Sequence, residues 1–136
     1  MRLPQVLFVC VENSCRSQMA EGFARSLGQG RVAAHSAGSR PSGQVNPRAA
    51  AFMKERGIDL GAQRSKGLDE LPAGLTWDAV VTMGCGDACP HVLAKTRLNW
   101  DLPDPKAMSD AEFRRVRDRI ETLVAELVER TAQRKR

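Results

Sequence analysis

Gln5-Val6-Leu7-Phe8-Val9-Cys10-Val11-Glu12-Asn13-Ser14-Cys15-Arg16-Ser17 is an apolar run that stops, turns through a short polar loop and opens onto a second run, Gln18 to Leu27. The apolar part, Gln5 to Val9, predicts a short buried strand. Ser17 to Leu27 predicts a helix, with Met19, Phe23 and Leu27 at four-residue spacing and Gly28 and Gly30 ending it. A strand that ends in a loop at a helix N-terminus is an anion site: backbone N–H groups point inward and the helix dipole favours negative charge. Val11, Glu12, Asn13, Ser14, Cys15, Arg16 and Ser17 are the candidate oxyanion-binding residues. Arg16 adds a planar fork of donors suited to a tetrahedral oxyanion. Cys10, at the mouth, is the candidate nucleophile, because whatever holds an oxyanion also stabilises a thiolate. Asn13 shapes the loop, since Asn tolerates unusual backbone angles. Ser17 is placed to cap the helix and to donate a hydrogen bond to Cys10.

Outward from this unit the chain alternates strand and helix. Val32 to Ala37 predicts a second strand, and Gly38 to Gly43 a loop. Asn46 caps a helix with Pro47 at its first position, running to about Gly57. A short helix is expected near Gly67 to Leu71. Ala79 to Met83 and Thr96 to Trp100 predict the third and fourth strands. Between them, Gly84 to Pro90 reads as a loop or broken helix, and Asp101 to Lys106 is a proline-rich loop. Ser109-Asp110-Ala111-Glu112 is a capping box for a last helix, whose apolar stripe is Phe113, Val116, Ile120, Leu123, Val124, Leu127 and Val128. Strands joined by helices imply one α/β domain over 1–136, with a four-stranded parallel sheet flanked by helices on both faces. Ligands of such sheets bind beyond the C-terminal strand ends, so the loops after strands one, three and four should meet.

The chain has 136 residues and a net charge of +5, with much of the excess in Arg130, Arg134, Lys135 and Arg136. A basic tail of this kind reads as a solvated end, and with so few aromatics no nucleic-acid partner is expected. There is no apolar run of membrane-spanning length and no signal-peptide pattern, so a cytoplasmic protein is expected. In a cytosolic chain, four cysteines point to catalysis, redox exchange or metal rather than a disulfide framework. They fall in two pairs, Cys10/Cys15 and Cys85/Cys89. His35 and His91 are read as structural or solvent-facing. Cys15 is read as packing behind the loop, with a protective bridge to Cys10 as the alternative.

Cys-x5-Arg-Ser after a strand, with Ser17, Met19, Ala20 and Glu21 in its flank, resembles the low-molecular-weight protein tyrosine phosphatase superfamily. Cys85-Gly86-Asp87-Ala88-Cys89 resembles the redox segment of that superfamily's thioredoxin-coupled arsenate reductases. The resemblance implies a flavodoxin-like strand order 2-1-3-4 and arsenate, or a phosphate-like oxyanion, as ligand. It implies Asp104, before Pro105, as general acid, in preference to Asp101. It also implies a Cys10/Cys85/Cys89 disulfide relay re-reduced by thioredoxin, with a glutaredoxin-type reductant as the alternative, and a monomer with no tightly bound cofactor. Some relatives hold potassium near the anion loop. Asn13, Glu21 and Ser36 match that set, whereas Ser65 stands where those relatives are acidic.

Two departures matter. Many members place more residues between the redox cysteines than the three found here. Residues four apart on a helix have Cβ atoms about 5–6 Å apart, and a disulfide wants about 3.5–4.5 Å. Closing Cys85–Cys89 therefore requires an irregular or moving segment, which Gly84, Gly86 and Pro90 favour. The phosphatases also place aromatic rings at the pocket. This chain has no tyrosine, and Lys106-Ala107 follow Asp104-Pro105, so phosphotyrosine would find little to stack on. A phosphatase and a four-cysteine zinc or thiol-switch module are the competing readings.

Overall fold

The computed structural model describes residues 3–72, 74–84 and 94–134. The expected redox cysteines Cys85 and Cys89, and His91, lie outside the described residues. Four strands, β1 (Gln5–Cys10), β2 (Ala33–Gly38), β3 (Trp77–Thr82) and β4 (Ala94–Asn99), form one parallel sheet in the expected order β2-β1-β3-β4. β1 is central, and Val6 to Cys10 are all buried. A strand covered on both faces has no solvent side, which is why its sequence is a continuous apolar run. β4 is the edge. Its exposure alternates, and it carries Lys95 and Arg97 outward, charges that discourage pairing with another chain.

Three α-helices cover one face: α1 (Arg16–Leu27), α2 (Pro47–Lys54) and α3 (Asp110–Arg134). Their core joins Phe8, Met19, Phe23, Met53, Phe113, Ile120 and Val124 with Ala79 and Val81 of β3. The opposite face is covered by the one-turn 3-10 helix Leu68–Glu70, with Leu68, Leu71 and Leu75 packed on Leu7, Val9, Ala37 and Val80. No helix among the described residues is long and apolar enough to cross a membrane.

Several boundaries differ from the sequence expectation for local reasons. β3 and β4 both start about two residues early, because Trp77 pairs with Ala94 and extends the ladder. Leu27 is 37% exposed and leaves the α1 stripe. Four-residue spacing drifts about 40° per step around a helix, so the third member of the series turns away from the core. α2 stops at Lys54, and the chain reverses through Gly57 at φ 75°, where the Ile58 N–H donates to the Met53 carbonyl. At α3 the capping box is half formed. The Glu112 N–H donates to Ser109 Oγ at 3.2 Å, while the Glu112 carboxylate accepts from the Ser109 hydroxyl at 3.0 Å.

Asn46 caps α2 as its sequence predicts, its Oδ1 accepting from the Arg48 N–H at 2.8 Å. Its own backbone N–H donates to the Ser14 carbonyl at 3.0 Å, so the cap also touches the loop after β1. Asn46→Ala removes the side-chain cap and keeps the backbone bond. It is expected to cost about 1 kcal/mol in urea unfolding; a loss below a quarter of that would show the cap is not stabilising.

Candidate active site

Cys10 ends β1, and residues 11–15 carry the chain to Arg16, the first residue of α1. Strand order reverses direction at β1, which places this loop over the crevice where parallel sheets bind ligands. The loop is held in an anion-binding shape from outside. The N–H groups of Ser39, Arg40, Ser42 and Asn46 donate to the carbonyls of Cys10, Val11, Glu12 and Ser14, at 3.2, 2.8, 3.0 and 3.0 Å. The Asn13 carbonyl accepts from Gln18 Nε2 at 3.1 Å. With five successive carbonyls engaged outward, the loop N–H groups are left to face the concave side. Asn13 makes the reversal at φ 51°, as expected for a residue tolerant of left-handed backbone.

The side chains of the loop are equally fixed. Asn13 Oδ1 accepts from the Lys66 N–H and from Gln18 Nε2, both at 2.9 Å, so its Nδ2 must face Ser17 Oγ, 2.8 Å away. Ser17 thus accepts from Asn13, and its Oγ lies 2.8 Å from Cys10 Sγ, a hydrogen bond in which either group can donate. The Asn13 N–H donates to the same sulfur at 3.2 Å. The N-cap of α1 is Cys15, whose side chain makes no capping bond, while Ser17 Oγ faces Cys10 and Asn13. The leading N–H groups of α1, which have no intrahelical partner, remain for a ligand.

A cavity of about 200 Å³ opens here, lined by Cys10, Val11, Glu12, Ser14, Cys15, Arg16 and Asp104. Arg16 is nearly buried; its Nη1 donates to the Leu102 carbonyl at 2.9 Å, and its Nη2 lies 3.9 Å from Asp104 Oδ2. Asp104 also caps the 3-10 helix Pro105–Ala107 through the Lys106 N–H at 3.0 Å. Asp101, the rival acid, is not among the lining residues. Cys15 is buried, and that burial pushes its thiol up to about 11. It is therefore a protonated thiol at neutral pH, in keeping with a packing role. His35 sits in β2, bonded to Gln5 Oε1 at 2.8 Å and edge-on to Trp77. Burial lowers its pKa, and it is remote from the cavity lining.

Four contributors are not among the expected site residues. Gln18 is fully buried and bonds Asn13 twice and the Arg64 carbonyl once. Gln63 in turn donates to Gln18 Oε1 at 2.7 Å. The 39–46 segment supplies the outer hydrogen bonds. Gly84, at φ 77°, packs its α-carbon against Arg16 so closely that a Cβ there would overlap the guanidinium.

The residues of the expected potassium set, Asn13, Glu21 and Ser36, all have protein partners. The Glu21 carboxylate, 1% exposed, accepts from Ser36 Oγ and pairs with Arg25, and the Lys66 ammonium stands 3.9 Å from it. Two cations already offset its charge. Asn13 Oδ1 is doubly bonded, and Ser65 Oγ donates to the Glu12 carbonyl and accepts from the Gly43 N–H. Among the described residues no group of three His, Cys, Asp or Glu side chains forms a metal-binding cluster.

A family model described as low molecular weight phosphotyrosine protein phosphatase matches residues 5–136. A protein of Synechocystis described as a glutaredoxin arsenate reductase is 41% identical over 132 residues, covering 92% of this chain and 99% of its own length. A solved structure described as an arsenate reductase in the phosphate binding state is 38% identical with a TM-score of 0.83, covering 95% of this chain and 99% of that one. A thioredoxin-dependent arsenate reductase of Corynebacterium glutamicum is 31% identical with a TM-score of 0.77, covering 98% of this chain and 64% of that one.

Proposed function

Because the chain belongs to the low-molecular-weight phosphotyrosine protein phosphatase family, we propose that it uses that family's oxyanion loop to reduce arsenate to arsenite. The observation that carries this reading is the cavity itself: Cys10, Arg16 and Asp104 share one small hollow with no aromatic ring among the described residues of its lining. That suits an inorganic oxyanion better than an aryl phosphate.

The Cys10 thiolate attacks arsenic. One arsenic–oxygen bond breaks, and that hydroxyl leaves as water with a proton from Asp104. Arg16 and the loop N–H groups hold the charge that builds on the remaining oxygens. The Cys85 thiolate then attacks the Cys10 sulfur. The sulfur–arsenic electron pair moves to arsenic, As(V) becomes As(III), and arsenite departs as a Cys10–Cys85 disulfide forms. Cys89 attacks Cys85 next, frees Cys10 and leaves Cys85–Cys89. An external dithiol returns the two electrons. Gly84 packs on Arg16, and Cys85 follows it directly in sequence, which supports Cys85 as the second thiol. Thioredoxin is the reductant that fits a chain with its own second and third thiols, working in the reducing cytoplasm.

The test is arsenate-dependent NADPH oxidation with thioredoxin and its reductase, and separately with glutaredoxin, glutathione and its reductase. Turnover with thioredoxin is expected, and replacing potassium by sodium should leave the rate unchanged. Turnover with glutaredoxin alone would reassign the reductant. Hydrolysis of p-nitrophenyl phosphate with no arsenate turnover in either arm would replace the reading by a phosphatase. A mass-spectrometric disulfide map after one turnover should find Cys85–Cys89; any other bridge removes the last station of the relay.

A further inference from the structure

Glu12 is out of place by charge: an acidic residue is among those that line a cavity built for anions. The compensating cation comes from the other end of the chain. Lys106 Nζ lies 3.1 Å from Glu12 Oε1 and 3.5 Å from Oε2. Lys106 is not a free surface lysine. Its N–H is held by Asp104 Oδ1 at 3.0 Å, and its carbonyl accepts from Arg48 Nη1 at 3.1 Å. Arg48 is itself fixed to Asp110 at 2.9 Å.

The pair also stands at a boundary. A second hollow of about 180 Å³ is lined by Glu12, Ser14, Ser42, Gln44, Asn46, Pro47 and Lys106, and shares Glu12 and Ser14 with the oxyanion cavity. An oxyanion ester bound with its tetrahedral head on the loop must send its organic group out of the cavity mouth. Glu12 lines both hollows and Lys106 lines the second, so their ion pair stands on the boundary between the two. A bare oxyanion has no such group and needs no such route.

We propose that the Glu12–Lys106 ion pair is a specificity gate that admits free inorganic oxyanions and shuts out their monoesters. The proposal rests on the arsenate-reductase reading for its substrate. Half-exposed ion pairs add little to stability, so the pair's effect lies in the site. Lys106 closes the side route and also cancels a carboxylate that would otherwise repel the incoming anion.

Lys106→Met tests the charge, and the double variant Glu12→Gln, Lys106→Met tests the route with charge balance restored. The readouts are KM and kcat for arsenate, and kcat/KM for p-nitrophenyl phosphate, at low and high salt. Lys106→Met should raise the arsenate KM about tenfold at low salt and less at high salt, because the exposed Glu12 charge is screened. The double variant should raise ester kcat/KM relative to arsenate by about tenfold or more, a change of about 1.4 kcal/mol in selectivity. An unchanged KM in Lys106→Met, or an unchanged ester-to-arsenate ratio in a folded double variant, overturns the gate. Failure of the unaltered protein to turn over arsenate would instead overturn the activity on which the gate rests.

Discussion

Cys10→Ser abolishes arsenate reduction, with a loss of about 10⁴-fold or more, and leaves oxyanion binding in place. The serine hydroxyl is close in shape to the thiol, and Ser17 and the Asn13 N–H, at 2.8 and 3.2 Å from Sγ, can bond an oxygen as they bond the sulfur. Arg16 and the loop N–H groups are untouched. Phosphate should therefore still raise the thermal midpoint of the variant, while turnover disappears. The loss is expected to be severe because, in the proposed relay, two steps need sulfur at that atom: attack on arsenic, and the later disulfide that carries the electrons away. Cys15 cannot stand in. At a pKa of about 11 it is ionised in about one molecule in 10⁴ at pH 7, so Cys15→Ser should keep most of the activity. The outcome that would sink the assignment is a Cys10→Ser protein within about tenfold of the original rate, or one that no longer responds to phosphate despite an unaltered fold.

What the sequence made legible was local. The strand–loop–helix from Gln5 to Leu27, the Asn46-Pro47 start of α2 and the α3 stripe all rest on residues a few positions apart, where hydrophobic period and cap chemistry act directly. The choice of Asp104 over Asp101 rests on its proline neighbour, and Asp104 lines the cavity. What escaped was long-range. Glu12 was read through its backbone, yet its carboxylate meets Lys106, 94 residues away. Gln18 looks like one polar residue on an amphipathic helix, and only the fold brings it under Asn13 and Arg64. The outer hydrogen bonds from 39–46 are main-chain bonds, which any sequence of suitable conformation can make. They leave no pattern in residue type to find.

Gly84 carries the sharpest of these long-range lessons. In sequence it reads as a residue that loosens the segment around Cys85. In the fold it lets β3 end against Arg16, and it does so at φ 77°. Gly84→Ala therefore has two costs. The left-handed backbone disfavours any Cβ by about 1–2 kcal/mol, and this Cβ would also overlap the Arg16 guanidinium. The arginine has to yield, because the three heavy atoms nearest that position all belong to its side chain. Moving it breaks the 2.9 Å bond to the Leu102 carbonyl and shifts the fork that holds the oxyanion. A displacement of about 1 Å in a positioning group costs about 10²-fold in rate, so kcat/KM for arsenate should fall by about that factor. Gly30→Ala separates the two costs. Gly30 has φ 76°, and an added Cβ there meets nothing within 4 Å, so it carries the backbone strain alone. Both variants should lose stability in urea unfolding, Gly84→Ala by more, and only Gly84→Ala should lose activity and phosphate affinity together. Equal activity in the two variants would mean that Arg16 accommodates the methyl group without leaving its place, and that Gly84 matters for the turn alone.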